Sequence, residues 1–279
     1  MCEPRKIVVV GLGEVGRPIL DLVSKHHSAL GVDVSPPAES VASVDILHVC
    51  FPFGIEDFVG ETARYIELFR PTLTIINSTV AIGTTRAVAK RTGAAVVNSP
   101  VRGKHAHMVE DLLRYVKFVG AIDPVAGENA AQHFHSLGMK TSILSSPEAT
   151  ELAKLTETTY FGLMIAWAQE VERYCDELCQ NYDEVVSFYE EINFFPPVKY
   201  FPGVVGGHCV LPNIKILSDL GPSEILQAIL SSNRKKIERE AGKGEADPTK
   251  EDAIPARRVT VERAAGLSRP HLIARQARP

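Results

Sequence analysis

Two side chains able to make or break bonds at a carbonyl carbon stand in suggestive settings. Cys209 sits in Phe201-Pro202-Gly203-Val204-Val205-Gly206-Gly207-His208-Cys209-Val210-Leu211-Pro212-Asn213. Three glycines around a His-Cys pair let the backbone approach a ligand and hold a thiol out on a turn. A neighbouring histidine or lysine favours the thiolate, which is the reactive form. A buried structural cysteine beside a glycine turn satisfies the same residues. Lys154 is the second candidate. Glu151, Lys154 and Thr158 recur at i, i+3 and i+7, so on a helix they share a face. A lysine held there could stabilise an oxyanion or exchange a proton once burial lowers its pKa. The spacing fits an exposed Glu151–Lys154 ion pair equally well.

A third group has phosphate-binding geometry. Ile7-Val8-Val9-Val10-Gly11-Leu12-Gly13-Glu14-Val15-Gly16 joins an apolar run to a helical pattern through G-x-G-x-x-G. In that setting Gly11 permits a tight turn, Gly13 admits a pyrophosphate, and Gly16 lets the helix lie close on the sheet. Glu14 and Val15 complete the loop, although the Glu14 charge stands close to where the pyrophosphate would lie. Asp33, in Gly31-Val32-Asp33-Val34, ends the expected second strand; a carboxylate there accepts ribose hydroxyls and repels a 2′-phosphate, favouring NAD over NADP. The same glycine turn also serves Rossmann-like folds that bind something else or nothing.

Other groups read more plainly. His105/His107 and His133/His135 lie at i, i+2, which on a helix points the rings apart, so they read as surface or packing residues and no metal is expected. Cys175 and Cys179 read as core thiols. Phe188, Tyr189, Phe194, Phe195, Tyr200 and Phe201 read as packing within the second region or at a subunit contact.

These residues need elements to carry them. Over the first 145 residues, apolar runs at Ile7–Val10, Asp45–Phe51, Leu73–Ile76, Ala94–Val97, Val116–Val119 and Thr141–Leu144 read as strands. They alternate with helices at Val15–Lys25, Ile55–Phe69, Thr84–Arg91, Ala106–Leu113 and Ala126–Leu137. Such alternation predicts an α/β fold, with a parallel, doubly wound Rossmann-type sheet in residues 1–145. Ser145-Ser146-Pro147-Glu148 then opens a helix running to about Asn181, roughly 50 Å long. Residues 146–232 form a long helix and a small all-helical region carrying the cysteine loop, with Pro222–Ser232 as a further helix. A long helix whose apolar face lacks an intrachain partner predicts a homodimer.

Residues 233–279 hold 12 Lys+Arg against 7 Asp+Glu and no aromatic residue. They read as a disordered basic tail, opening at most with a short helix at Arg234–Glu240. The whole chain of 279 residues has net charge −4, with 45% hydrophobic residues. That balance offers no general attraction to nucleic acid, and no apolar run reaches membrane-spanning length. The first residues lack the apolar core of a signal peptide and the five cysteines are scattered. A soluble, cytoplasmic protein is expected.

Taken together, GLGEVGRP at 11–18, INSTVAIGTT at 76–85, ELAKLTETTYFGLMIAWAQE at 151–170 and FPGVVGGHCVLPN at 201–213 resemble the nucleotide-sugar 6-dehydrogenases. The resemblance implies NAD-dependent oxidation of a sugar or nucleotide-sugar alcohol to a carboxylate. Cys209 would form a thiohemiacetal and then a thioester, Lys154 would stabilise oxyanions, and Thr79, beside Ser78 at the cofactor, would position water. Thr158 and Asn213 fall at two further catalytic positions of the family, which there carry Asn and Asp. Val101 falls where the family has Glu, within Ser99-Pro100-Val101-Arg102-Gly103. Only 66 residues follow Asn213, too few for the family's nucleotide-binding domain. Two other readings follow from these departures. One is an impaired NAD-binding relative with a regulatory or structural role; the other is a two-electron hydroxyacid-type dehydrogenase using Lys154 alone.

Overall fold

The computed structural model describes residues 4–33, 44–103, 107–189, 201–207 and 209–241. The first half alternates as the apolar runs require. β1 (Lys6–Val10), α1 (Gly16–Val23), β2 (Ser28–Val32), β3 (Ile46–Val49) and α2 (Phe58–Phe69) come first. β4 (Leu73–Ile76), α3 (Thr84–Thr92), β5 (Val96–Asn98) and α4 (Met108–Arg114) follow, then β6 (Lys117–Ala121), α5 (Pro124–Ser136) and β7 (Thr141–Leu144). One sheet orders these strands β2-β1-β3-β4-β5-β6-β7. β1, β3 and β4 are buried almost throughout because helices cover both faces. Ile7, Val9, Ile46 and Ile75 face α1 and α5; Val8, Val10, Leu47 and Ile76 face α2 and α3.

The sheet is not wholly parallel. β6 pairs antiparallel to β5, with Asn98 opposite Gly120, and β7 then follows β6 in parallel. Strand–helix alternation cannot distinguish a crossover from a reversal, so the exception was invisible in the pattern. Its consequence is local: Lys117, the first residue of β6, stands beyond the carboxyl ends of β4 and β5, where the strands deliver the site.

The chain then enters α6 (Pro147–Glu177), with Ser146 accepting from the Ala149 N–H as N-cap. The helix ends four residues short of Asn181, because Cys179 adopts left-handed φ of 54° and the next helix begins with its own cap, Asn181. α7 (Tyr182–Ser187), α8 (Val210–Ser218) and α9 (Glu224–Ala241) complete the described elements. The helix expected at Pro222–Ser232 and the short one at Arg234–Glu240 are one continuous α9. The compositional boundary at 232/233 falls inside it, and Asn233 and Lys236 are buried against α6. Composition misled here because these polar residues are paired in the interior rather than solvated. Residues 242–279, Phe194, Phe195, Tyr200, His105 and His208 lie outside the described residues.

Candidate active site

The glycine loop leaves β1 at the carboxyl edge, between β2 and β3, where the strand order reverses; ligands of open α/β sheets bind at such a crevice. Gly11 has φ of +85°, and a Cβ there would meet the Phe51 nitrogen at 2.6 Å. A Cβ on Gly16 would meet the Gly11 carbonyl oxygen at 1.8 Å. Gly13 differs: nothing lies within 4 Å of its missing Cβ. The first turn of α1 contains no acidic residue, although Glu14 stands on the loop just before it; Arg17 N–H donates to the Gly13 carbonyl at 3.1 Å and Pro18 has no N–H. Exposed Asp33 follows β2, and its carbonyl accepts from Tyr65 Oη at 3.4 Å. An open glycine above a helix N-terminus, with a carboxylate at the end of β2, fits a dinucleotide. Glu14 is exposed on the loop and Val15 is half-buried.

The loop after β4 forms the next wall. Ser78 is buried, donating its hydroxyl to the Phe51 carbonyl at 2.6 Å, and Thr79 beside it is half-buried. Beneath lies Asn77, whose Oδ1 accepts from Lys117 Nζ at 3.2 Å. Lys117 also donates to the Ser99 carbonyl. Its burial is nearly complete, and desolvation pulls its pKa down to about 7. Asn77 Nδ2 contacts His48 Nδ1 at 3.1 Å, and His48 Nε2 meets His133 Nε2 at 2.9 Å. Desolvation pulls His48 to about 3 and His133 well below its usual value, so both rings are neutral at pH 7.

The first turns of α6 are fastened to β5 and to the start of α3. Thr150 Oγ1 donates to Asn98 Oδ1 at 2.7 Å. Buried Glu151 accepts from the Gly83 N–H at 2.6 Å, the Thr85 N–H at 2.9 Å and the Thr85 hydroxyl at 2.6 Å. It thus caps α3 from another helix instead of pairing with Lys154. Burial pushes its pKa up, against the pull of those three donors. Lys154 pairs with Glu157 at 3.4 Å, and Arg102 holds the same carboxylate at 2.9 Å. Neighbouring Val101 is buried.

The next turn of α6 joins α8. Asn213 Nδ2 donates to Thr158 Oγ1 at 2.6 Å, and Thr158 donates to the Lys154 carbonyl at 2.8 Å. The two departures from the family pattern are therefore one contact, an amide donor and a hydroxyl acceptor facing each other. Cys209 is the N-cap residue of α8, its carbonyl accepting from Asn213 N–H at 3.3 Å, and it is exposed. The Asn213–Thr158 bond is the side-chain link between α6 and α8; Lys154 and Cys209 enter through their backbone carbonyls, one turn before Thr158 on α6 and one turn before Asn213 on α8. The glycine loop, Ser78 and Thr79 lie at the carboxyl edge of the sheet, which α6 meets at Asn98 and at the start of α3. Glu157 escaped sequence reading; i, i+3 spacing to Lys154 was the available signal. Among the described residues, no group of three or more His, Cys, Asp or Glu side chains could hold a metal.

Residues 148–238, from the start of α6 through most of α9, match the central domain of the UDP-glucose/GDP-mannose dehydrogenase family. The resemblance to nucleotide-sugar dehydrogenases holds. An NDP-N-acetyl-D-galactosaminuronic acid dehydrogenase of Ralstonia nicotianae is 24% identical over 78% of this chain and 65% of its own length. A UDP-N-acetyl-D-mannosamine dehydrogenase of Methanocaldococcus jannaschii is 23% identical over 74% of this chain and 60% of its own. The chain thus spans about 65% of the length of the first of these curated relatives. Among solved structures, the UDP-D-ManNAc dehydrogenase of Pyrococcus horikoshii superposes with a TM-score of 0.76 at 18% identity, covering 85% of this chain and 70% of that one. The 3-hydroxyisobutyrate dehydrogenase of Mycobacterium tuberculosis superposes at 0.57 and 20% identity, covering 88% and 89%. Those likenesses establish the Rossmann-type fold.

Proposed function

We propose that this chain is an NAD-dependent dehydrogenase that oxidises a primary alcohol of a nucleotide-sugar to a carboxylate, with Cys209 as nucleophile. The observation that supports the reading is the Asn213–Thr158 contact, which ties the stretch of α6 that bears Lys154 to the first turn of α8, which Cys209 opens. The substrate class comes from the names of the relatives. In this reading residues 1–145 hold the cofactor and 146–232 carry the reacting side chains.

Gly11, Gly13 and Gly16 with Ser78 and Thr79 would cradle NAD, and Asp33 its ribose. Two NAD molecules, bound one after the other, would each accept one hydride, one at each oxidation level. Between the two oxidations, the Cys209 thiolate adds to the aldehyde carbon, forming the C–S bond of a thiohemiacetal. At the acid level water adds to the thioester carbon, the C–S bond breaks, and the thiolate returns. Lys154, held by Glu157, stabilises the oxyanion formed at each addition. The Thr158–Asn213 pair orients substrate hydroxyls beside the thiol, and Thr79 positions the attacking water.

The test incubates the full chain with NAD and a panel of UDP- and GDP-sugars, following NADH absorbance and the acid product by mass spectrometry. Cys209→Ser is expected to abolish acid formation while retaining NAD-dependent thermal stabilisation. Acid formation surviving that substitution would remove Cys209 from the chemistry. NAD binding without turnover on any sugar would favour the impaired relative, for which Val101 is the strongest argument.

We also propose a homodimer through α6. Tyr160, Leu163, Trp167 and Tyr174 recur at i, i+3, i+7 and i+14, each more than a third exposed, so among the described residues one stripe of the helix is apolar and uncovered.

A further inference from the structure

The loop that carries Cys209 is held by residues outside both the loop and the helix it opens. Val205, four positions before the thiol, is 3% exposed and packs with Ala166 of α6, Val210 of α8 and Ile229 of α9. Asn233 of α9 is buried and grips the backbone of Val205 twice. Its Oδ1 accepts the Val205 N–H at 2.7 Å, and its Nδ2 donates to the Val205 carbonyl at 2.8 Å. A side-chain amide bonded to both polar groups of one residue imitates a neighbouring strand, fixing that peptide's position and its rotation about the chain. Gln169 of α6 adds a third bond, Nε2 to the Gly203 carbonyl at 2.7 Å, while its Oε1 accepts from Ser232 at 2.9 Å.

Past this clamp the chain surfaces. Gly206 and Gly207 are exposed, the latter with φ of +72°, and so is Cys209. Val210 is buried again, against Gly162 of α6, where a Cβ would come within 2.5 Å of Val210 Cγ1. The thiol therefore rides on a short arch with two fixed feet. A glycine contact seats the α8 foot; two buried amides seat the other. Gly206 and Gly207 contribute no side chains to hold the backbone next to the Val205 foot.

We infer that Asn233, assisted by Gln169, is a positioning residue for Cys209, setting where the thiol stands by clamping Val205 and Gly203. Its catalytic consequence rests on the nucleophile proposed above; the clamp itself does not. Mutating the clamp should release the arch while leaving the cofactor end of the molecule, on the sheet, unaltered.

The experiment measures iodoacetamide labelling of the full chain by peptide mass spectrometry, with exposed Cys179, at the far end of α6, as internal reference. In Asn233→Ala the Cys209:Cys179 rate ratio should change by about threefold or more, the scale that losing a buried hydrogen bond allows. NAD-induced thermal stabilisation should stay at the wild-type level, and kcat should fall with KM for NAD unchanged. Gln169→Ala, which removes only the Gly203 bond, should move the ratio in the same direction by less, and it keeps the test available if Asn233→Ala does not fold. A purely structural asparagine would lower Tm and leave the labelling ratio alone; that result in folded Asn233→Ala, or in Gln169→Ala should the former not fold, overturns the inference. A shifted ratio in a protein that oxidises no sugar supports the clamp and defeats the dehydrogenase reading, so the two failures are distinguishable.

Discussion

Cys50 and Cys209 show what environment does to one functional group. Cys50 is buried in the sheet core, where desolvation pushes its thiol up to about 12, so it stays protonated and inert. Cys209 stands exposed at a helix N-terminus. Nothing in the residue names separates them; the flanking glycines are the only local hint. The buried chain Lys117–Asn77–His48–His133 was illegible, since Lys117 and His48 sit in apolar strands and no spacing rule joins them. It has a measurable cost. His48 titrates at about 3 in the fold and near 6.5 when unfolded, so below pH 6.5 the unfolded chain binds the extra proton and stability falls with pH. Lys117 acts in the same sense at higher pH: its folded value of about 7 lies below the free one, so its contribution weakens the fold as pH drops from 10.5 toward 7 and then levels. Urea unfolding at pH 5 against pH 7.5 should show a loss on the order of 2 kcal/mol from His48 alone. His48→Leu should reduce that slope, leaving the part due to His133, whatever it does to stability at pH 7.5; an unchanged slope would deny the neutral ring its role.

Among the elements, the β1–α1 turn and the α3–α6 junction decide where the site lies. The three motif glycines are not equivalent. A methyl group at Gly16 collides with the Gly11 carbonyl, whereas one at Gly13 meets nothing. Gly16→Ala should therefore lower Tm without cofactor, while Gly13→Ala should leave that Tm within about a degree and reduce the stabilisation by millimolar NAD. Equal loss of Tm in both would contradict the assignment of the open position to the ligand. The G-x-G-x-x-G spacing exposed this element fully, because turn, approach and packing each demand a residue without Cβ. Glu151 is the opposite case. Its spacing to Lys154 fits a surface ion pair, yet it accepts three hydrogen bonds at the start of α3. Glu151→Ala should cost about 1–3 kcal/mol in chemical denaturation by orphaning buried donors. It should also loosen α6, so activity should fall although Glu151 touches no reactant.

At the scale of the whole molecule, the aromatic stripe of α6 stands exposed among the described residues. Trp167, 55% exposed, lies mid-stripe between Leu163 and Tyr174. Light scattering is expected to give twice the mass of the 30.5 kDa chain, and Trp167→Glu should convert it to the monomer. A wild-type monomer at micromolar concentration would leave the stripe without its proposed occupant. Among the described residues no helix is long and apolar enough to cross a membrane.

Sequence alone determined the properties that local chemistry dictates: apolar strands alternating with helices, the glycine turn, the capped start of α6, and the cysteine and lysine motifs. Each depends on residues within a turn or two of one another, so spacing reports it directly. Tertiary structure alone decided the reversal of β6, the cap that Glu151 places on α3, the Thr158–Asn213 contact, and the seating of the cysteine loop by Asn233. These join residues 28 to 68 positions apart or turn on pairing direction, and a polar residue destined for a buried partner reads, in one dimension, like one destined for water.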